Sequence, residues 1–169
     1  MTATFYAQPY DISAEGFYFH DEETFNESIG SIVNAYGQPV EELEIQFIDG
    51  TELDCALARA LCPSQCNVVA LMDAIENWSD EQKINVIIAV GDCGYTIDLA
   101  NGDPDDFEID IYRDTAIKEL AYQFVDEGLF GEIPDRLTFY LDYEAIARDL
   151  AMDYTETVIA GELMVYRAA

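Results

Sequence analysis

Hydrophobic and polar positions change period several times along the chain, and the changes mark out its elements. The runs ATFYA (residues 3–7) and GFYFH (16–20) are short, aromatic-rich strand candidates around a turn-like PYDISAEG. Over 21–37 the period becomes helical: Phe25, Ile29, Ile32, Val33 and Tyr36 share a face, Asp21, Glu22 and Glu23 occupy the first turn, and Gly37 stands where a left-handed cap belongs. ELEIQFID then alternates Leu43, Ile45 and Phe47 against Glu44, Gln46 and Ile48, which predicts a half-buried strand.

A helical stretch follows. Thr51 and Asp54 have capping-box spacing at the start of TELDCALARAL. Val68, Leu71, Met72 and Ile75 form one stripe, and a Ser79–Gln82 box opens a helix expected to close at Gly91. Mixed structure then returns. DDFEIDIY alternates Phe107, Ile109 and Ile111 with Asp106, Glu108 and Asp110, predicting a strand with one acidic face. A helix follows, capped by Asp114 and ended by Gly128. Pro134 is expected at the first position of a short helix, and Asp142 caps a last one with Ile146, Ala147 and Leu150 inward. YTETVIAGELMVYR predicts a closing hairpin that turns near Gly161.

The pattern predicts an α+β chain of three small domains. These are a mixed β-sheet/helix unit over 1–62, a short helical bundle over 63–102 and a second α+β unit over 103–169. Half of the 169 residues are hydrophobic, with 11 Tyr and 9 Phe, so the chain has the material for packed cores.

Charge changes the picture most. There are 35 acidic residues against 7 basic ones, a formal net charge of -28. The three segments carry -11, -5 and -12, so the acid decorates every unit and is not a tail. Solubility alone asks for about 2–8 charges on a small domain. The excess argues against nucleic acid or anionic membrane as a partner and for something basic. A merely solvated surface and adaptation to high salt are the alternatives that composition leaves open.

Candidate chemistry is sparse. The single His20 lies beside Asp21 and Glu22, where capping or surface duty accounts for it, and no catalytic residue is nominated. A carboxylate pair for glycoside hydrolysis carries no weight among so many acids. Cys55, Cys62, Cys66 and Cys93 lack metal spacing and are expected as free thiols, largely in the core. NGDPDDFEID resembles the start of a calcium loop at Asp103 and Asp105, but the sixth position is Glu108 and the twelfth Asp114. No glycine loop suited to phosphate occurs. No metal, cofactor or enzymatic activity is therefore expected. The first residues lack a basic start and a long apolar run, so the expected location is cytoplasmic.

The acid fits an imitation. Duplex DNA carries one charge per about 1.7 Å, so 28 charges correspond to about 48 Å, or about 14 base pairs. The carboxylates expected to contact a basic cleft are Asp21, Glu22, Glu23 and Glu27; Glu41, Glu42 and Glu44; Asp106, Glu108 and Asp110; Asp126 and Glu127.

One further stretch bears on this reading. GLFGEIPDRLTFYLDYEAIARDL contains Glu132-Ile133-Pro134, Phe139-Tyr140, Asp142-Tyr143-Glu144-Ala145 and Ala147-Arg148-Asp149-Leu150. It resembles the C-terminal motif of the ArdA antirestriction family. The resemblance implies an elongated, acidic protein of three small domains that pairs into a homodimer and mimics bent B-form DNA. Such a protein blocks the DNA-binding site of type I restriction-modification enzymes, is carried by mobile genetic elements, and is not an enzyme. The alternative is an acidic interaction module or chaperone for another basic DNA-binding protein. Within the motif, Leu137, Phe139, Tyr140, Leu141, Ile146 and Leu150 are expected to supply a scaffold core, with Arg136 and Arg148 paired to nearby acids.

Overall fold

Alternation along the first strand buries Phe5 and Ala7 on one side and leaves Tyr6 and Gln8 on the other. This strand, β1 (Thr4–Pro9), is the centre of a three-stranded antiparallel sheet between β2 (Phe17–Phe19) and β3 (Leu43–Asp49). The computed structural model describes residues 2–168. The chain divides into two compact units, the first ending at Phe107 and the second beginning at Glu108.

In the first unit, α1 (Glu22–Ser31) lies against the buried face of the sheet. Phe25 meets Phe17 and Phe19 with ring centroids 6.4 and 4.8 Å apart, and Phe5 stacks on Phe19. The helix ends six residues before Gly37, contrary to the expectation. Ile32 is already extended, and Val33 leaves the helix to bridge Pro39. The Asn34 side chain accepts from the N–H groups of Tyr36 and Gln38, so a local turn replaces the last helical turn.

The remaining helices of this unit are α2 (Glu52–Leu61), α3 (Val68–Asn77) and α4 (Asp80–Val86). Both predicted capping boxes form, at Thr51–Asp54 and Ser79–Gln82. Leu57, Val68, Leu71, Val86 and Ile88 are fully buried between the helices. The last helix does not close at Gly91. It widens into a π-helical turn over Ile87–Asp92, and the positive-φ glycine is Gly94. Cys62 and Cys66 are exposed, which corrects the core expectation for them: Cys62 occupies the left-handed cap of α2, and Cys66 lies in the following turn.

The second unit has its own antiparallel sheet in the order β4-β6-β5, from β4 (Ile109–Arg113), β5 (Thr155–Ile159) and β6 (Glu162–Ala168). Against it pack α5 (Ile117–Asp126) and α7 (Tyr143–Leu150), with the four-residue α6 (Asp135–Thr138) between them in sequence. Leu120, Phe124, Tyr154 and Val165 form the core, with Tyr112, Ile117 and Leu150 at its edge. The α5 start is not capped by Asp114, which has φ +50° in the preceding turn. Glu119 accepts from the Ala116 N–H and Glu156 from the Ile117 N–H, so two glutamates satisfy that end. Gly128 ends α5 in a Schellman motif, with Leu129 N–H on Phe124 O and Gly128 N–H on Val125 O. Pro134 is the N-cap of α6, one residue before the expected position.

The closing hairpin turns through Ala160 and Gly161, both at positive φ (51° and 81°), as a two-residue loop between the paired Ile159 and Glu162. Alanine is strained there, whereas asparagine tolerates the left-handed region. Ala160→Asn is expected to stabilise the second unit by about 0.5–1 kcal/mol, read as a higher melting temperature.

Candidate functional site

Every carboxylate nominated from the sequence is exposed. They fall into separate groups on the two units. Glu22, Glu23 and Glu27 stand on α1, whose start is fixed by Asp21: its Oδ1 accepts from the Thr24 N–H at 2.7 Å and from the Thr24 hydroxyl at 2.6 Å. Those bonds hold the Asp21 carboxyl below the usual aspartate range. His20 is exposed beside it, with Nε2 3.2 Å from Asp21 Oδ2, in a surface role.

Glu41 and Glu42 precede β3, and Glu44 points outward from it. Their placement depends on a residue that the sequence did not single out. Gln65 accepts from the Leu43 N–H at 2.8 Å and donates to the Glu41 carbonyl at 3.1 Å, tying this acidic edge to the α2–α3 connection. The only available signal was a polar side chain in a tight connection, and that does not identify a partner 22 residues away.

Asp106, Glu108 and Asp110 do not form a single strand face. The strand begins at Ile109, so only Asp110 lies on it. The preceding residues are held elsewhere. Asp103 Oδ1 accepts from Asp105 N–H, Gln82 donates to Asp105, and Asn85 donates to the carbonyls of Pro104 and Phe107. Phe107 also stacks on Tyr95. Asp110 itself faces Arg167 across the β4–β6 ladder, 2.6 Å away, and Arg167 also lies 5.3 Å from the centre of the Tyr154 ring. Its charge is therefore partly offset within the unit.

Asp126 and Glu127 occupy the C-terminal end of α5, where the helix dipole disfavours negative charge. On α1, Glu23 and Glu27 are four apart and repel, at a cost of about 0.2–0.5 kcal/mol. Glu127 is partly compensated by a hydrogen bond from Gln123 at 2.9 Å and Glu23 by its place in the first helical turn, so Asp126 is the acid that local structure leaves unfavoured. Asp126→Asn is expected to stabilise the second unit by about 0.3–1 kcal/mol, checked by denaturant titration.

A cavity of about 630 Å³ in the first unit is walled by Asp21, Glu22, Asp73, Glu76 and Asp80 together with a buried ion pair. In that pair Lys83 Nζ lies 2.7 Å from Asp54 Oδ1. Burial pushes the Asp54 carboxyl up, but hydrogen bonds from Lys83 and Thr51 and the Lys83 charge outweigh it and hold the group below the usual range.

The motif near the C-terminus divides in two. Its second half is scaffold. Asp142 caps α7 through the Ala145 N–H, Tyr143 stacks on Tyr122 at 3.9 Å, and Glu144 pairs with Lys118. Ala147 is buried, Ala145 and Ile146 are half-buried, Arg148 and Asp149 are exposed, and Leu150 meets the core. The first half corrects the expectation. Phe139 and Tyr140 are 91% and 84% exposed, Leu137 is exposed with them, and only Ile133 and Leu141 are half-buried. A four-residue helix has no complete apolar stripe to bury, so these side chains add nothing to the core. Glu132 and Pro134 are exposed as well. Among the described residues, Arg136 and Arg148 form no ion pair; the acids are instead met by Arg113 with Glu162, Lys118 with Glu144, and Arg167 with Asp110.

Two small antiparallel sheets with helices packed on them, carrying exposed carboxylates, define an acidic α+β protein. The chain belongs to the ArdA antirestriction protein family, whose model matches residues 4–163. That makes it an antirestriction protein, a member of a family of inhibitors. A comparison with curated proteins found no match. No helix among the described residues is long and apolar enough to cross a membrane.

Proposed function

We propose that this antirestriction protein acts as a mimic of bent B-form DNA and occupies the DNA-binding site of a type I restriction-modification enzyme. The observation that carries the reading is the placement of the acid. All twelve nominated carboxylates are exposed, and Asp126 stands at the C-terminal end of α5, where the helix dipole disfavours negative charge. Stability given up for charge placement points to a role for that charge in binding. Lysine and arginine side chains that meet phosphates in a DNA complex would meet these carboxylates.

The exposed Leu129, Phe130, Leu137, Phe139 and Tyr140 supply an apolar surface suited to a homodimer contact, which would double the length of acid presented. In this reading the segments 1–62, 63–102 and 103–169 act as successive carriers of charge in the cytoplasm of a host invaded by a mobile element.

The test is competition. The protein is expected to displace a labelled duplex from a type I methyltransferase core, and to prefer that core over a histone-like basic protein. Preference for the histone-like protein would replace the reading with that of a general acidic chaperone.

A further inference from the structure

Two loops at one end of the first sheet are clasped together and carry exposed apolar side chains. The turn 10–16 joins β1 to β2, and the segment 32–40 leads from α1 toward β3. Asp11 joins them: its Oδ2 accepts from Asn34 Nδ2 at 2.9 Å, while its Oδ1 accepts from the Ser13 N–H and hydroxyl at 2.9 and 2.7 Å. The Ala35 N–H donates to the Ser13 carbonyl, and the Tyr10 N–H to the Glu42 carbonyl, both at 3.2 Å. The hydrogen bonds from Asn34 and Ser13 also hold the Asp11 carboxyl below its usual range, so the clasp is in its ionised, accepting form at neutral pH.

What the clasp presents is unexpected in so acidic a protein. Ile12 is 100% exposed, Tyr36 83% and Tyr10 66%, with Val33 half uncovered. Scattered exposed apolar residues are ordinary, but these four stand on two loops that hydrogen bonds pin to each other. The network spends an aspartate, a serine and an asparagine on fixing loops whose apolar side chains stay in water. A pinned aromatic and aliphatic tip has little entropy left to lose on binding. The exposed Glu41 and Glu42 follow segment 32–40 directly in the chain, and the Glu42 backbone carbonyl accepts from the Tyr10 N–H. The matching surface is apolar at its centre and lysine- or arginine-rich at its edge.

We infer that the clasped tip formed by Tyr10, Ile12, Val33 and Tyr36 is an apolar anchor, which docks against a hydrophobic recess bordering the basic DNA-binding cleft of the inhibited enzyme. This rests on the DNA-mimic reading and adds to it a contact that DNA itself cannot make. An apolar anchor of this kind separates a protein inhibitor from the duplex it displaces, since its contribution does not fade as salt rises.

The salt dependence gives the test. Ile12→Ser/Tyr36→Ser and, as comparator, Glu41→Gln/Glu42→Gln are titrated in the full chain against labelled duplex on a type I methyltransferase core, at about 50, 100 and 200 mM salt. The apolar variant is expected to lose about tenfold or more in affinity at every salt concentration, its log–log line parallel to that of the wild type. The carboxylate variant is expected to lose most at low salt and to converge on the wild type at high salt. Unchanged affinity of the apolar variant overturns the anchor alone. A drop in the mass of that variant on sedimentation also overturns it, assigning the tip to contact between copies. Failure of the wild type to displace duplex overturns the mimic reading and the anchor with it.

Discussion

Lys83→Ala is expected to remove about 3–5 kcal/mol of stability, because it leaves Asp54 as an uncompensated charge in the interior. Asp54 is 3% exposed and Lys83 7%, and the pair joins the start of α2 to α4. A loss of that size is comparable to the whole stability of a small domain. Trp78, the only tryptophan, immediately precedes the α4 cap and reports unfolding of this unit by fluorescence. The double change Lys83→Met/Asp54→Asn removes both charges and is expected to recover most of the loss. Recovery should be incomplete, since Asp54 also accepts from Thr51 at the α2 capping box.

The pH dependence follows from the sign of the shift. In the wild type the folded Asp54 carboxyl titrates below its unfolded value, so its contribution is present at neutral pH. That contribution is lost as pH falls through the folded pKa. Without Lys83, burial dominates and raises the folded value instead, so the variant is penalised at neutral pH and relieved by acid. The gap between wild type and Lys83→Ala is therefore expected to narrow as pH falls from 7 toward about 4. A gap that stays constant across that range would mean that Lys83 acts through packing and not through charge.

Affinity for a type I methyltransferase core is expected to fall about 10³-fold between about 50 and 200 mM salt, the scale on which a DNA ligand with several phosphate contacts weakens. Removing charge from α1 by Glu22→Gln/Glu23→Gln/Glu27→Gln should lower affinity at low salt and flatten this dependence. The same change removes the Glu23–Glu27 repulsion together with the favourable contact of Glu22 and Glu23 with the helix N-terminus, so stability should change by no more than about 1–2 kcal/mol while binding falls. A large loss of binding with a small change in stability is the signature of charge placed for a partner. Equal affinity at low and high salt would end the electrostatic account.

Much of this was legible because it is local. The capping boxes at Thr51–Asp54 and Ser79–Gln82, the Asp142 cap and the Gly128 helix end each involve residues a few positions apart, and each forms as the spacing requires. Alternation marked β1 and β3 because one face of each must be buried. Periodicity failed where a competing local bond or a long-range partner intervened. The helical stripe through Val33 and Tyr36 was cut by the Asn34 turn, and the acidic alternation through Asp106 and Glu108 was broken by ties to Gln82 and Asn85. For the motif, apolar side chains in a helical context were expected inside, but α6 is too short to bury them.

Composition and spacing by themselves determined that this is an acidic α+β chain, that its charge covers every segment, and which stretch links it to the antirestriction family. Those properties belong to the order and identity of neighbouring residues. Only the tertiary structure decided that Asp110 meets Arg167, that Gln65 holds the Glu41–Glu42 edge, that Lys83 answers Asp54 inside, and that Ile12 and Tyr36 stand on clasped loops in water. Each of these joins residues distant in sequence, and chain order alone does not say which side chains folding brings within hydrogen-bond reach or leaves uncovered.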